Sequence, residues 1–138
     1  MCSSDLPTPK TEAEILAMIA DKSAAGHAFL VAEAGGQVIG QASYGQFRGG
    51  QGYRTCMEHS ISLLPNTPRK GLGRALLTAI EGHARTKGAH QMIAGVSGEN
   101  AEGQAFHARM GYAPIATIPE AGFKFGRYMD LVLMQKFL

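Results

Sequence analysis

Two cysteines, Cys2 and Cys56, are all that this 138-residue chain contains, too few to read as a disulfide framework. A reducing, cytoplasmic setting is therefore expected. No apolar run approaches the ~18 residues that a membrane-spanning helix needs, and no charged-then-apolar leader opens the chain. Charge is also scarce: 17% of residues are charged and the net charge is +2. That excludes the broad basic face of a nucleic-acid binder. Two common phosphate signatures are missing as well. Gly-Lys followed by Ser or Thr does not occur, and Leu76 stands where a dinucleotide fingerprint needs its third glycine. His27, His83 and His90 have no partner at metal-ligand spacing, so no metal site is expected. No acidic cluster marks a polycation as acceptor.

What is present is enough for one folded domain over residues 1–138, with residues 1–10 expected to be flexible. Hydrophobic residues make up 45% of the chain, which supports a real core. Eighteen glycines exceed the usual ~7%, and they fall at turns rather than in repeats. Thr11 and Glu14 have capping-box spacing before a helix that runs to about Ala25, with Gly26 as its stop. Ala28–Glu33 and Gln37–Tyr44 read as strands joined by a Gly35-Gly36 hairpin turn. A glycine-rich loop, Phe47–Arg54, precedes an alternating strand over Thr55–Leu64. In that strand Met57, His59, Ile61 and Leu63 face one way, and Glu58, Ser60 and Ser62 the other. A helix over Leu72–Lys87, a strand over Gln91–Ser97 and a helix over about Ala101–Met110 follow. Tyr112–Phe123 reads as a strand followed by a turn, and Arg127–Leu138 as a final strand. Hairpins mixed with strand–helix–strand order predict an α+β, mixed α/β domain with a partly antiparallel sheet flanked by helices.

The segment between the Thr55–Leu64 strand and the next helix carries Arg69, Lys70, Gly71, Leu72, Gly73 and Arg74. Helix N-termini have unpaired N–H groups and partial positive charge. Glycine lets a phosphate approach the backbone there, and two full charges add to the attraction. The two readings of this turn are a phosphate or pyrophosphate site and a glycine turn with solvated charges.

Strand, basic loop, Gly-x-Gly and helix together resemble the acetyl-CoA pyrophosphate loop of the GNAT N-acetyltransferases. Within that superfamily, "YRTCMEHSISLLP", "RKGLGRALL", "GENAEGQAFHARMGY" and "GFKFGRYMDLVLMQ" resemble the phosphinothricin and methionine sulfoximine acetyltransferases. The resemblance implies a GNAT-like fold and acetyl-CoA as co-substrate. It implies that backbone groups of Ile61, Ser62 and Leu63 pair with the pantetheine arm, that Arg69 to Arg74 cradle the pyrophosphate, and that Asn100 contacts the cofactor near its thioester. It further implies a small amino-acid-like amine as acceptor and a homodimer in which the "FKFGRYMD" loop, with Lys124, helps close the acceptor site. Two departures stand out. Pro68 replaces a residue whose N–H would meet a phosphate. The chain also lacks the strand and helix that the relatives carry upstream, so an N-terminally shortened domain is expected.

Acyl transfer to an amine requires the neutral amine, and a carboxylate can take its proton. By the resemblance, Glu58 is that general base; by its residues alone it reads as a solvent-facing strand glutamate. His107 either donates a proton to the leaving sulfur or packs and hydrogen-bonds. Arg48, Tyr53 and Arg54 either face the acceptor carboxylate or form a solvated loop. A bidentate arginine suits a carboxylate. His59 is expected to be a satisfied core histidine. Cys56 and His59, three apart on a strand, point to opposite faces, which argues against a nucleophile pair. The expected function is acetyl-CoA-dependent N-acetylation of a methionine sulfoximine, methionine sulfone or phosphinothricin type of amine. The alternatives are a non-catalytic acetyl-CoA-binding remnant and an acetyltransferase for another amine, such as a protein N-terminus or a polyamine.

Overall fold

The computed structural model describes residues 11–65 and 71–138. The elements are α1 (Glu12–Ala24), β1 (Phe29–Ala34), β2 (Gln37–Gln46), a 3-10 turn (Gln51–Tyr53), β3 (Cys56–Leu63), α2 (Leu72–Thr86), β4 (Gln91–Ser97), α3 (Ala101–Arg109), β5 (Ala113–Lys124) and β6 (Arg127–Phe137). The six strands form one sheet in the order β1-β2-β3-β4-β6-β5. Only β3 and β4 run parallel; every other neighbouring pair is antiparallel. The expected mixed sheet flanked by helices is what the chain forms.

Local chemistry sets the helix starts. The Thr11 hydroxyl accepts from the Glu14 amide at 3.2 Å, and Glu14 accepts from the Thr11 amide at 3.4 Å. This reciprocal cap satisfies two donors that α1 would leave orphaned. At the start of α3 the Asn100 side chain accepts from the Gly103 amide at 2.9 Å.

The core lies on one face of the sheet. Alternate positions of β3 and β4 (Met57, Ile61, Met92, Val96) pack against Leu76, Leu77, Ile80 and Ala84 of α2. Leu77 and Ile80 are fully buried, so truncating either to alanine would cost about 2–5 kcal/mol. On the opposite face lie Ser43, Gly45, Glu58, Ser60 and Gly95. That face is polar and hollowed, and α1 lies near it against β1.

One element departs from expectation. The sequence predicts a strand followed by a turn within Tyr112–Phe123, yet β5 continues to Lys124. The ladder to β6 shifts between Ile118 and Gly122 and resumes with Gly122 opposite Met129. Glu120 adopts φ 54°, and its amide donates to the Asp130 carboxylate at 3.0 Å. The missing donor of Pro119 is thus absorbed in a bulge rather than ending the strand. The true reversal is Phe125-Gly126, where both residues have positive φ (56° and 75°), as a two-residue hairpin of type I′ requires.

Candidate active site

The site begins where two strands part. β3 and β4 are in register only from Cys56 to Glu58, opposite Gln91 to Ile93. Beyond those pairs β3 continues to Leu63 and β4 to Ser97, with no ladder between them. Ser60 to Leu63 therefore present a strand edge that β4 does not pair. An extended ligand arm can add there as a strand would. Ile61 is fully buried, while Ser62 and Leu63 are half-buried.

On the helix side of this gap lies a cleft of about 630 Å³. Leu63, Gly71, Leu72, Gly73, Arg74 and Asn100 all line it. The sequence reading assigned these same residues to a cofactor. Gly71 holds φ 85° as the N-cap of α2 and supplies no side-chain cap. That left-handed conformation costs glycine little. The first turn of α2 thus borders the cleft with no N-cap side chain over its amides, which suits an anion. Arg69, Lys70 and Pro68 lie outside the described residues. Asn100 uses its side-chain oxygen for the α3 cap, and its amide nitrogen sits over Gly103.

On the opposite face, a second hollow of about 400 Å³ contains Glu58. Ser43 and Ser60 keep its wall polar, and Gly45 and Gly95 keep it open. A methyl group at Gly95 would sit 3.2 Å from the Glu58 carboxylate, so glycine there leaves space for that side chain. The hollow continues past Gly95 and Leu131 into a third space of about 270 Å³ lined by Lys124. Lys124 also lies 5.0 Å from the Phe125 ring. The parted strands thus separate a cleft suited to a phosphate-bearing cofactor from a hollow holding a carboxylate.

The three loop candidates are not gathered around Glu58. The Arg48 guanidinium stacks 4.9 Å over the Tyr53 ring, and neither residue lines the Glu58 hollow. Arg54 donates to the Gln51 carbonyl at 3.1 Å and lines a different space with His27 and Lys87. A lysine from α1 stands in the hollow instead: Lys22, whose ammonium donates to the Tyr44 carbonyl at 3.1 Å. Nothing local in the sequence marks Lys22, because the contact joins residues 22 apart.

His107 and His59 form a buried pair on the core face. Their Nε2 atoms are 3.1 Å apart and the rings stack at 5.0 Å. His107 Nδ1 lies 2.7 Å from the Gly103 carbonyl, which can only accept, so Nδ1 carries the proton. The neutral ring then accepts through Nε2, and His59 donates from its own Nε2. His59 Nδ1 is left buried with no partner among the described residues. His59 is thus the core histidine expected, but only half of it is satisfied. Burial, with His107 beside it, holds the His59 imidazole down at about 3. Burial also lowers His107, against the raising effect of its bond to Gly103. With both nitrogens of His107 engaged internally, packing and hydrogen bonding is the role its geometry favours over proton donation. Behind the pair, Glu81 accepts from the Tyr112 hydroxyl at 2.7 Å and pairs with Lys136 at 2.8 Å. Among the described residues no cluster of His, Cys, Asp or Glu could hold a metal.

Comparison with known proteins agrees with this geometry. The model of the acetyltransferase (GNAT) family matches residues 2–112. The chain is 42% identical over 110 residues to the L-methionine sulfoximine/L-methionine sulfone acetyltransferase of Salmonella typhimurium, covering 80% of this chain and 64% of that protein. It spans, then, somewhat less than two-thirds of that relative's length. Its fold superposes on a ribosomal-protein-alanine N-acetyltransferase from Brucella melitensis with a TM-score of 0.93 at 36% identity, over 99% of this chain and 84% of that one. It superposes on a phosphinothricin acetyltransferase from Sinorhizobium meliloti, solved with acetyl-CoA, with a TM-score of 0.91 at 34% identity, over 99% and 74%.

Proposed function

This chain belongs to the GNAT acetyltransferase family, and from that premise we propose that it transfers the acetyl group of acetyl-CoA to the amine of a small amino-acid-like acceptor. The observation that carries the reading is the parting of β3 and β4 after Glu58. It leaves an unpaired strand edge between the cleft at the start of α2 and the hollow that holds Glu58. The fit of acetyl-CoA rests on the residues themselves. Gly71 to Arg74 offer an anion site, and Arg69 and Lys70 add charge to it. The edge from Ile61 to Leu63 offers backbone groups to an amide-bearing arm, and Asn100 borders the same cleft.

In this reading the acceptor enters from the polar face. Glu58 accepts a proton from the ammonium, leaving a lone pair on nitrogen. The nitrogen attacks the thioester carbonyl carbon, a C–N bond forms, the C–S bond breaks, and the nitrogen sheds its second proton to solvent to leave the neutral amide. The departing sulfur takes a proton from solvent. Held beside the thioester, the amine reacts without the entropic cost of a chance encounter. His107 positions α3 and β3 from beneath and does not reach the sulfur. Lys124, in the adjoining space, meets the polar end of the acceptor's side chain. Arg48 and Tyr53 belong to a loop at the site's margin.

The acceptor class we favour is methionine sulfoximine, methionine sulfone or phosphinothricin, because a hollow of about 400 Å³ suits a small zwitterion and the Salmonella relative is named for two of them. The likeness to a ribosomal-protein-alanine acetyltransferase supports a second reading, in which a protein N-terminus is the acceptor. We also assign a cytoplasmic, homodimeric protein. β5 is an exposed edge strand, and Phe123, Phe125 and Tyr128 are exposed at the hairpin tip beside Lys124. Such an edge and tip suit a second copy. Thiol release from acetyl-CoA separates the readings. Turnover is expected with methionine sulfone, methionine sulfoximine or phosphinothricin. Turnover only with an alanine-initiated peptide, or with no amine at all, would overturn the reading.

A further inference from the structure

We propose that the space beside the C-terminal end of α2 is a second ligand site, separate from the reaction, and that it takes a small organic carboxylate with a compact apolar body. The space is about 420 Å³, within the roughly 300–1,000 Å³ of small-molecule sites. It shares no lining residue with the cofactor cleft and only Gln46 with the Glu58 hollow. The sheet itself stands between the two: Tyr44 and Met57 belong to the core face, whereas Gly45 and Glu58, the residues that follow them, belong to the other.

The floor of this space is apolar. Tyr44, Met57, Ala84 and Ala89 line it, and all four are buried. The Tyr44 hydroxyl is engaged with His83 Nδ1 at 2.7 Å, so the surface that Tyr44 adds is mainly ring. The His27 ring, 5.0 Å from that of Tyr44, forms the adjoining wall.

The rim is basic. Arg54, from the glycine-rich loop, and Lys87, at the end of α2, both line it, and among the described residues no aspartate or glutamate does. The loop that carries Arg54 is held in place: the Gln46 amide donates to the Arg48 and Gly50 carbonyls at 2.6 and 2.8 Å. Arg54 gives one donor to the Gln51 carbonyl at 3.1 Å. A guanidinium has five donors, and a carboxylate takes two of them in parallel. Neither Arg54 nor Lys87 has an ion-pair partner among the described residues. A helix C-terminus opposes an anion with roughly half a charge. The last α2 carbonyls are already met, however: His83 accepts from the Lys87 amide, Arg85 from Gly88 and Ala84 from Ala89, at 3.0–3.2 Å. Two full positive charges outweigh what remains. The local field is positive, since burial, then Lys22 and then His83, lower the His27 imidazole from its ordinary value. An inorganic anion would leave the apolar floor uncovered, and a neutral apolar molecule would leave both cations unused. A carboxylate on an apolar body meets both.

The test titrates the full chain, at saturating acetyl-CoA, with benzoate, with benzamide as its uncharged isostere, and with inorganic phosphate. Binding is followed by calorimetry and by methyl NMR of the methionines. Met57 floors the proposed site, whereas Met129 lines the space beside the Glu58 hollow, so the methyl that moves reports where the probe sits. Benzoate is expected to shift the Met57 methyl saturably, with a Kd of about 0.1–10 mM. Benzamide and phosphate should each bind there at least about tenfold more weakly. Arg54→Ala/Lys87→Ala changes two exposed positions and should weaken benzoate binding by roughly 10–100-fold. Arg54→Lys/Lys87→Arg should keep most of it. A shift at Met129 in place of Met57, equal binding of benzamide or phosphate, or unchanged affinity in the double alanine variant would overturn the proposal. So would the absence of a saturable Met57 shift up to about 50 mM benzoate.

Discussion

Acidification should destabilise this protein through a pair of histidines that take no part in the proposed chemistry. His59 and His107 are buried, face each other through Nε2, and are neutral in the fold. In the unfolded chain both titrate near 6.5, whereas burial holds His59 at about 3. The sign follows from linkage. Below pH 6.5 the unfolded chain binds a proton that the folded chain refuses, so stability is present above 6.5 and is lost as pH falls toward 3. Each such histidine contributes a slope approaching 1.36 kcal/mol per pH unit. Between pH 7 and 4.5, His59 alone then costs about 2–3 kcal/mol, and His107 acts in the same direction. Against a total of roughly 5–15 kcal/mol this is a large fraction. Urea titrations followed by circular dichroism, at half-unit steps across this range, give the slope. Paired carboxylates contribute to acid sensitivity as well, so the informative quantity is the difference from His59→Leu/His107→Leu. That variant should be less stable at pH 7, because Gly103 loses its donor, yet its pH slope should be shallower by about 1.4 kcal/mol per unit or more. A His59 imidazole NMR signal that fails to titrate above pH 4.5 would agree. Equal slopes in the two proteins, or both imidazoles titrating near 6.5, would refute the buried-neutral assignment.

Three further outcomes are expected. Lys136→Met leaves Glu81 buried with only the Tyr112 hydroxyl and should cost about 3 kcal/mol of unfolding free energy, read from chemical denaturation. Gly103→Ala puts a methyl 2.5 Å from the Asn100 amide and 3.1 Å from Val96, so it should lose about 1–3 kcal/mol and weaken acetyl-CoA binding, measured by melting and calorimetry. Arg69→Ala/Lys70→Ala should weaken acetyl-CoA binding roughly tenfold at low ionic strength, with a flatter salt dependence by calorimetry.

Where a feature depends on neighbours in sequence, it could be read from the sequence. The Thr11–Glu14 capping box spans three residues and formed as expected. The alternation of β3 put Met57, His59 and Ile61 in the core and left Glu58 and Ser60 on the other face. The stripe of Leu76, Ile80 and Ala84 on α2 is likewise a matter of helical period. Gly71 to Arg74 and Asn100 were legible as cofactor candidates and share one cleft. What could not be read depends on distant pairing. β3 and β4 are joined through α2, and no local pattern states that their ladder stops at Glu58. The His59–His107 contact spans 48 residues, and Lys22 reaches its hollow only because α1 ends beside β2. The β5 bulge was missed because Asp130, on the next strand, supplies the partner that lets the chain pass Pro119 without turning.

The most direct test of the central claim is the kinetics of Glu58→Gln at saturating acetyl-CoA and acceptor. If Glu58 takes the ammonium proton, turnover should fall by roughly 10²–10⁴-fold while acetyl-CoA affinity stays within a factor of about three. The variant's rate should recover in part as pH rises toward about 9, where more of the amine is already neutral. Wild-type turnover in Glu58→Gln across about pH 6 to 9 would contradict the account and return Glu58 to the status of a strand glutamate.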